Sequence, residues 1–100
     1  MNPYILSSAA LYELDEIWSY IAQDNPEAAD RWIGKLLDAC ETLASNPHIG
    51  HSRADITDKT LLFWPVDAYL IIYQVQSGHI DVLAVTQGSR DIPSYLRRRT

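Results

Sequence analysis

The sequence predicts an α+β domain in which a helical hairpin packs on a mostly antiparallel sheet, with its elements in the order β-α-α-β-β-β. Three observations predict this class. The first half holds two long segments with apolar residues at helical spacing, only Asn25-Pro26 separates them, and the second half holds apolar β-rich runs divided by turn residues. The chain has 100 residues, which predicts a single domain over residues 1–100.

The first strand and first helix follow from the opening segment. Tyr4 to Leu6 is a short apolar run with β character, and Ser7 or Ser8 then offers a helix cap. The first helix carries apolar side chains at helical spacing, interleaved with acidic and polar ones. Its predicted apolar positions are Leu11, Leu14, Ile17, Trp18 and Ile21.

The second helix begins at Asn25-Pro26, because asparagine is a good N-cap and proline fits the first helical position. Asn46-Pro47 is expected to end it. So short a link between the helices predicts an antiparallel hairpin. The predicted apolar stripe of this helix comprises Ala29, Trp32, Ile33, Leu36, Leu37, Cys40, Leu43 and Ala44.

The second half predicts three strands after a loop over residues 48–59. The expected strands are Leu61 to Trp64, Ala68 to Val75 and Ile80 to Thr86, with turns at residues 65–67 and 76–79.

The middle and last strands are apolar on both faces, whereas a half-exposed antiparallel strand alternates apolar and polar residues. The hairpin covers one face, and only a short tail remains to cover the other. We therefore expect Leu70, Ile72, Leu83 and Val85 to form an uncovered outer face that binds a protein partner or another copy of the chain. The alternative is a central strand buried by sheet curvature and loops.

The charge distribution limits the kinds of molecule that the protein can bind. The net charge is −5. Residues 1–47 hold eight acidic and two basic residues, whereas residues 48–100 hold five acidic and six basic residues. This balance argues against non-specific nucleic-acid binding. The single cysteine, Cys40, excludes an internal disulfide, and no membrane segment or signal peptide is evident, so we expect a cytoplasmic protein.

The sequence contains no motif of a known catalytic or cofactor site, and we expect no cofactor. His48 and His51, with Asp55 nearby, are only a weak metal signal, so no metal is expected. The remaining candidates are cationic. Arg90 follows the end of a strand, where scaffolds place functional groups, but it could also be a surface arginine paired with Asp91. The arginine run at 97–99 could be a phosphate-seeking tail, a disordered end or a grip on an acidic partner segment.

Several stretches together resemble the ParE branch of the ParE/RelE superfamily of bacterial type II toxin–antitoxin toxins. They are ILSSAALYELDEIWSYIAQDNPEAADRW, then NPHIG with SR soon after, FWPVDAYLIIY, and GSRDI. The resemblance covers nearly the whole chain, and it depends on the order and spacing of these stretches rather than on one signature. Leu62 and Gln87 depart from it, since many relatives carry arginine and histidine there.

The resemblance implies a non-enzymatic toxin that binds DNA gyrase and is neutralised by a cognate antitoxin folded along its surface. On this basis Trp18, Leu70, Ile72, Leu83 and Val85 are predicted to bind the antitoxin. Arg53, Arg90, Arg97 and Arg98 are predicted to bind the target.

Two alternatives stay open. One is a ribosome-dependent ribonuclease like those of the RelE branch, which carry catalytic cations at places that here hold Leu61, Phe63 and Leu70; only Arg90 fits such a position. One cation is too few for metal-free phosphodiester cleavage. The other alternative is a non-toxic relative that only binds an antitoxin.

Overall fold

A computed structural model describes residues 3–53, 55, 60–89 and 91–99, with residues 98 and 99 described by their backbone. The elements are β1 (Tyr4–Leu6), α1 (Ser8–Ala22), α2 (Pro26–Ser45), β2 (His51–Ser52), β3 (Leu62–Val66), β4 (Tyr69–Gln76), β5 (His79–Gln87) and α3 (Ile92–Arg99).

The strands form one sheet in the order β1-β5-β4-β3-β2. β1 pairs with β5 in parallel, and every other pair is antiparallel. The α1–α2 hairpin packs on one face, here termed the inner face, and α3 packs on the opposite, outer face. The predicted α+β class with a helical hairpin on a mostly antiparallel sheet is therefore confirmed.

Both helices of the hairpin begin where the sequence predicts. The Ser7 side chain accepts a hydrogen bond from the Ala10 amide at 3.0 Å, and the Asn25 side chain accepts one from the Ala28 amide at 3.1 Å. These contacts satisfy backbone donors that have no partner within the helix. Pro26 occupies the first turn of α2, and the helix ends at Ser45, with Asn46 as its cap.

The third helix was not predicted, although its signals are present in the sequence. The Asp91 carboxylate accepts hydrogen bonds from the Ser94 amide and hydroxyl, as a helix cap does. Ile92, Tyr95 and Leu96 follow at helical spacing and contact the sheet. The segment read as a basic tail is thus an amphipathic helix over Ile92–Arg99.

Two other boundaries differ from the prediction. His51 and Ser52, expected in a loop, form the short edge strand β2 against Phe63 and Leu62. Pro65, expected in a turn, lies within β3, where it is tolerated because β2 covers only the start of that strand. The turn lies instead at Asp67-Ala68, and Asp67 has a positive φ of 52°.

The inner core joins the hairpin to the sheet. Leu36, Cys40 and Leu43 of α2 are at most 1% exposed. Burial raises the pKa of the Cys40 thiol to about 12, so this cysteine is a packed core residue, as expected. The sheet contributes Val66, Ile71, Tyr73, Ile80, Val82 and Val85 to this core.

A β-bulge in β5 changes which side chains reach each face. Ile72 is paired with Ala84, but Tyr73 is paired with Val82, so Leu83 is an extra residue in β5. Leu83 and Ala84 consequently both contact the outer cluster, and Val85 lies in the inner core. The prediction that Val85 lies on the outer face is wrong, because strict alternation does not pass through a bulge.

The Glu13 carboxylate closes the edge of β5 beyond the end of β1. β1 pairs only as far as Val82, which leaves the next residues of β5 without a strand on this edge, although β4 pairs with them on the other. The Ser7 hydroxyl donates to the Leu83 carbonyl at 2.9 Å, and the Val85 amide donates to Glu13 Oε1 at 3.0 Å. The Tyr95 hydroxyl donates to Glu13 Oε2. One carboxylate therefore joins α1, β5 and α3.

Tyr73 fixes the segment that leaves α2. Its side chain is fully buried in the inner core, and its hydroxyl donates to the Pro47 carbonyl at 2.7 Å. The same oxygen accepts the Gly50 amide at 3.0 Å. A Cβ at Gly50 would overlap the Tyr73 ring, so the close approach of this backbone requires glycine.

Replacing Tyr73 with phenylalanine should lower the free energy of unfolding by about 1–2 kcal/mol, since the Pro47 carbonyl and Gly50 amide lose a buried partner. Urea denaturation followed by circular dichroism measures this. Tyr12→Phe is the matched control, because the Tyr12 side chain is 65% exposed. Equal midpoints for the two variants would show that the Tyr73 hydroxyl contributes nothing to stability.

Replacing Glu13 with alanine should lower the free energy of unfolding by about 2 kcal/mol, because the Val85 amide and Tyr95 hydroxyl lose a charged acceptor. Glu16→Ala, an exposed position on the same helix, should change it by less than about 0.5 kcal/mol. Urea titrations of both variants test this, and an unaltered midpoint for Glu13→Ala would contradict the bridging role.

Candidate protein-binding surfaces

The outer face of the sheet is the surface where the sequence predicts a partner, and α3 covers its centre. Ile72 is fully buried there, together with Phe63 and Ala84, beneath the side chains of Ile92 and Tyr95. The expectation that Ile72 lies uncovered is therefore wrong. The physical reason is that the C-terminal segment forms an apolar helix face long enough to cover the middle of the sheet.

Two of the predicted outer residues retain some exposed surface. Leu70 and Leu83 are half-buried and pack against the margin of the cluster beneath α3. Val85 is 1% exposed and lies on the inner face. Of the four apolar residues predicted to line the outer face, only Leu70 and Leu83 can thus be reached there without moving α3.

The fifth predicted contact, Trp18, belongs to a surface that the hairpin leaves open. Its side chain is 37% exposed, and its indole N–H donates to Asp30 of α2 at 2.8 Å. Among the described residues, five of the six exposed large hydrophobic side chains lie on β1 and α1. They are Ile5, Leu11, Tyr12, Trp18 and Tyr20.

We define the α1 surface as the exposed face of this helix, formed by Leu11, Tyr12, Asp15, Glu16, Trp18 and Tyr20. Sequence reasoning placed Leu11 and Trp18 on the buried stripe and did not single out Tyr12 or Tyr20. The signal was present, because α1 carries large apolar residues around more of its circumference than one neighbouring helix and one sheet can cover.

A cleft of about 290 Å³ lies beside the α1 surface, between α1 and the facing ends of β4 and β5. Glu13, Glu16 and Tyr20 line it from the helix, and Tyr69 and Thr86 line it from the sheet. Burial raises the pKa of the Tyr69 phenol, so this group stays neutral at physiological pH. Among the described residues, the lining is thus acidic and aromatic and includes no cationic side chain.

An aromatic cluster fixes the sheet wall of this cleft to α2. The Trp32 ring packs edge-on against Tyr69 with centroids 5.5 Å apart, and Lys35 Nζ lies 5.1 Å from the Trp32 ring centroid. Lys35 also pairs with Asp67 in the β3–β4 turn. These contacts hold the turn end of the sheet against the hairpin.

Arg53 is the target-binding candidate that the structure describes most fully. It follows β2 and forms a two-point ion pair with Asp55, with Nε at 3.0 Å from Oδ1 and Nη2 at 2.9 Å from Oδ2. This hydrogen-bonded pairing holds the pKa of the Asp55 carboxyl below its ordinary value. Both side chains are exposed, so a carboxylate of a binding partner could replace Asp55 at the Arg53 guanidinium.

The other candidate arginines lie toward the C-terminus. Arg97 is exposed on α3 and donates to the Ser94 hydroxyl at 2.9 Å. Arg98 lies within α3, and the structure describes its backbone but not its side chain. Arg90 also lies outside the described residues.

Strand register separates Arg53 from the end of β5, which leads to Arg90. Ser52 pairs with Leu62, Leu62 with Tyr73 and Tyr73 with Val82. Val82 precedes Gln87 by about 17 Å of strand. The register therefore places Arg53 and the end of β5 toward opposite ends of the sheet.

Histidines give no metal site within the described ranges. The His51 ring stacks on Trp64, with centroids 5.9 Å apart. No group of three or more histidine, cysteine, aspartate or glutamate side chains among the described residues is placed to hold a metal ion. In the same part of the chain, no helix is long and apolar enough to span a membrane.

Comparison with known proteins places the chain in a family. Residues 4–92 match the family model described as the ParE toxin of the type II toxin–antitoxin system parDE. Putative toxin Y4kP of Sinorhizobium fredii is 31% identical over 87 residues, which cover 87% of this chain and 88% of that protein.

A solved structure titled "Chromosomal ParDE TA system from P. aeruginosa" has the same fold. It superposes with a TM-score of 0.73 over 87% of this chain and 96% of that one, at 17% identity. The resemblance inferred from the sequence is thus confirmed. The chain belongs to the ParE family of toxins of type II toxin–antitoxin systems.

Proposed function

We propose that the protein arrests bacterial growth in the cytoplasm by binding DNA gyrase, without catalysing a reaction, and that a cognate antitoxin neutralises it. Membership of the ParE family supports the toxin role. The observation that carries the choice of mechanism is the apolar cluster between the sheet and α3.

The resemblance to the superfamily implies that the RelE branch carries its catalytic cations at the places held here by Leu61, Phe63 and Leu70, which belong to or border this cluster. Leu61 and Phe63 are 6% and 2% exposed, and Leu70 is half-buried at the margin of the same cluster. A phosphodiester-cleaving site needs charged groups that can reach the scissile phosphate. Buried leucine and phenylalanine can neither transfer a proton nor stabilise phosphate charge, so these positions favour binding over RNA cleavage.

The charge of the chain supports the same choice. A ribosome-dependent ribonuclease must approach a dense array of phosphates, which favours a strongly basic surface. This chain has a net charge of −5, with its basic residues concentrated in the second half. A protein target is more compatible with that distribution.

We propose that the target is contacted by cations after the sheet strands and on α3, of which Arg53 and Arg97 are exposed. The candidates are Arg53, Arg90, Arg97 and Arg98. Exposed arginines suit this role, because a guanidinium can exchange an intramolecular carboxylate for one on a partner.

We propose that the antitoxin is bound through Trp18, Leu70 and Leu83, the predicted contacts that keep exposed surface. Ile72 and Val85 support this surface from within the protein, since both are at most 1% exposed. A polypeptide lying across α1 and the margin of the outer face would cover apolar surface that the free chain leaves in water.

A supercoiling assay with purified gyrase tests the proposed target. The protein should inhibit supercoiling in a dose-dependent way, and prior addition of a cognate antitoxin should relieve the inhibition. Unimpaired supercoiling, together with new mRNA ends in translating extracts, would overturn the proposal in favour of a ribonuclease. Normal growth when the chain is expressed alone would indicate a non-toxic, antitoxin-binding relative.

Arg90→Ala should weaken growth arrest and raise the concentration for half-inhibition of gyrase by about tenfold, the equivalent of ~1.4 kcal/mol of binding free energy. Antitoxin binding should be largely retained. Arg31→Ala is the control, since Arg31 is an exposed arginine on α2. Full growth arrest by Arg90→Ala would remove this residue from the target site.

A further inference from the structure

The α1 surface consists of two rows of side chains, and each row places a carboxylate between two large hydrophobic groups. Leu11, Asp15 and Trp18 form one row, because residues three and four apart lie on the same side of a helix. Tyr12, Glu16 and Tyr20 form the other by the same spacing. The regular alternation of apolar and acidic groups predicts the pattern of any segment that covers them.

The two carboxylates have no internal partner in the described part of the chain. Asp15 and Glu16 accept no hydrogen bond and form no ion pair among the described residues. The α1 sequence contains no lysine or arginine that could pair with them. Their charges therefore remain available to a partner, next to hydrophobic groups that are 37% to 70% exposed.

The cleft beside α1 adds a recess to the second row. Glu16 and Tyr20 form its outer lining, and Tyr69 forms the opposite wall. Its volume of about 290 Å³ can accommodate the charged end of one long side chain. A guanidinium placed there could pair with Glu16 and lie against a tyrosine ring, a combination of ion pair and cation–π contact.

We propose that the α1 surface docks a basic amphipathic segment of the antitoxin, in which leucine-like residues alternate with arginine or lysine and one cation enters the cleft. The inference rests on the proposed function for the identity of the partner. The chemistry of the segment follows from the surface itself, because apolar groups must cover Leu11, Tyr12, Trp18 and Tyr20 and cations must neutralise Asp15 and Glu16.

Charge complementarity selects this occupant over two others. A second copy of the chain would place the same acidic rows against each other, and like charges across an interface cost binding free energy. A nucleic acid would bring phosphates toward Asp15 and Glu16, which repel them. A basic polypeptide is the occupant that satisfies both the apolar and the charged parts of the surface.

The test uses two synthetic peptides, each about five helical turns long. One carries leucine and arginine on a single face, and the other has glutamate in place of every arginine. Fluorescence anisotropy of the labelled peptides measures their binding to the full chain. The arginine peptide should bind, and the glutamate peptide should not. Equal binding of the two peptides, or binding of neither, would overturn the proposal.

Paired charge reversals locate the binding. The double variant Asp15→Lys/Glu16→Lys should weaken binding of the arginine peptide by about tenfold or more. Asp38→Lys/Glu41→Lys, at two exposed acids of α2, makes the same change in net charge and should weaken it by no more than about twofold. Equal losses in the two double variants would show a general charge effect and remove the site from α1.

A second pair of variants tests the contribution of the hydrophobic side chains of the α1 surface. Tyr20→Ser should weaken peptide binding by about fivefold or more, since it removes one wall of the cleft and a ring that the peptide covers. Ile49→Ala, at an exposed hydrophobic residue after α2, should leave binding unchanged. Retention of full affinity by Tyr20→Ser would contradict docking along the second row.

The peptide titration separates this inference from the proposed function. If the chain arrests growth and is neutralised normally by the antitoxin after Asp15→Lys/Glu16→Lys, the toxin role stands and the α1 docking site is wrong. If the wild-type chain neither arrests growth nor inhibits gyrase, the proposed function fails, and the titration still reports whether the α1 surface binds basic segments.

Discussion

The structure depends on how the chain closes the open edge of β5. β1 ends after three residues, so the second half of β5 has β4 on one edge and no strand on the other. Glu13 occupies this edge and binds the Val85 amide on the inner helix side while also accepting the Tyr95 hydroxyl from α3. A charged acceptor satisfies both donors, and the same contact fixes the helix that covers the outer face. The two layers on opposite faces of the sheet are therefore joined through one side chain.

Covering the outer face with α3 determines which surfaces remain for partners. Phe63, Ile72 and Ala84 are buried beneath α3, so the centre of the sheet is part of the core and not a free binding face. Four of the six exposed large hydrophobic side chains among the described residues lie on α1, which contacts α2 and the sheet with one side only. Hydrophobic groups interleaved with carboxylates on that helix favour a partner that is both apolar and basic. The helix proposed to face the antitoxin is thus a different element from those that carry the arginines proposed to face the target.

Much of this fold could be predicted from the sequence, because its strongest signals are local. Ser7, Asn25 and the apolar periodicity of α2 define the helical hairpin. A continuous apolar, β-rich run followed by turn residues defines β4 and the turn after it. The bulge at Leu83 and the docking of α3 depend on contacts between distant segments, which local patterns do not show. Without the bulge, Val85 was predicted on the outer face, and without α3, Ile72 was predicted to be uncovered. The α1 surface was missed for a related reason. Helical spacing shows which residues share a face, but it does not show how wide a face the neighbouring elements cover.

Amide hydrogen exchange of the free protein, followed residue by residue by NMR, tests the central claim that Glu13 holds β5 and α3 together. The Val85 amide lies on an open strand edge and is protected by the Glu13 side chain. We predict that it exchanges as slowly as the Tyr95 and Leu96 amides, with a common free energy of opening, because release of Glu13 frees both elements. Rapid exchange at Val85 while α3 remains protected, or rapid exchange throughout α3 while Val85 remains protected, would contradict this account.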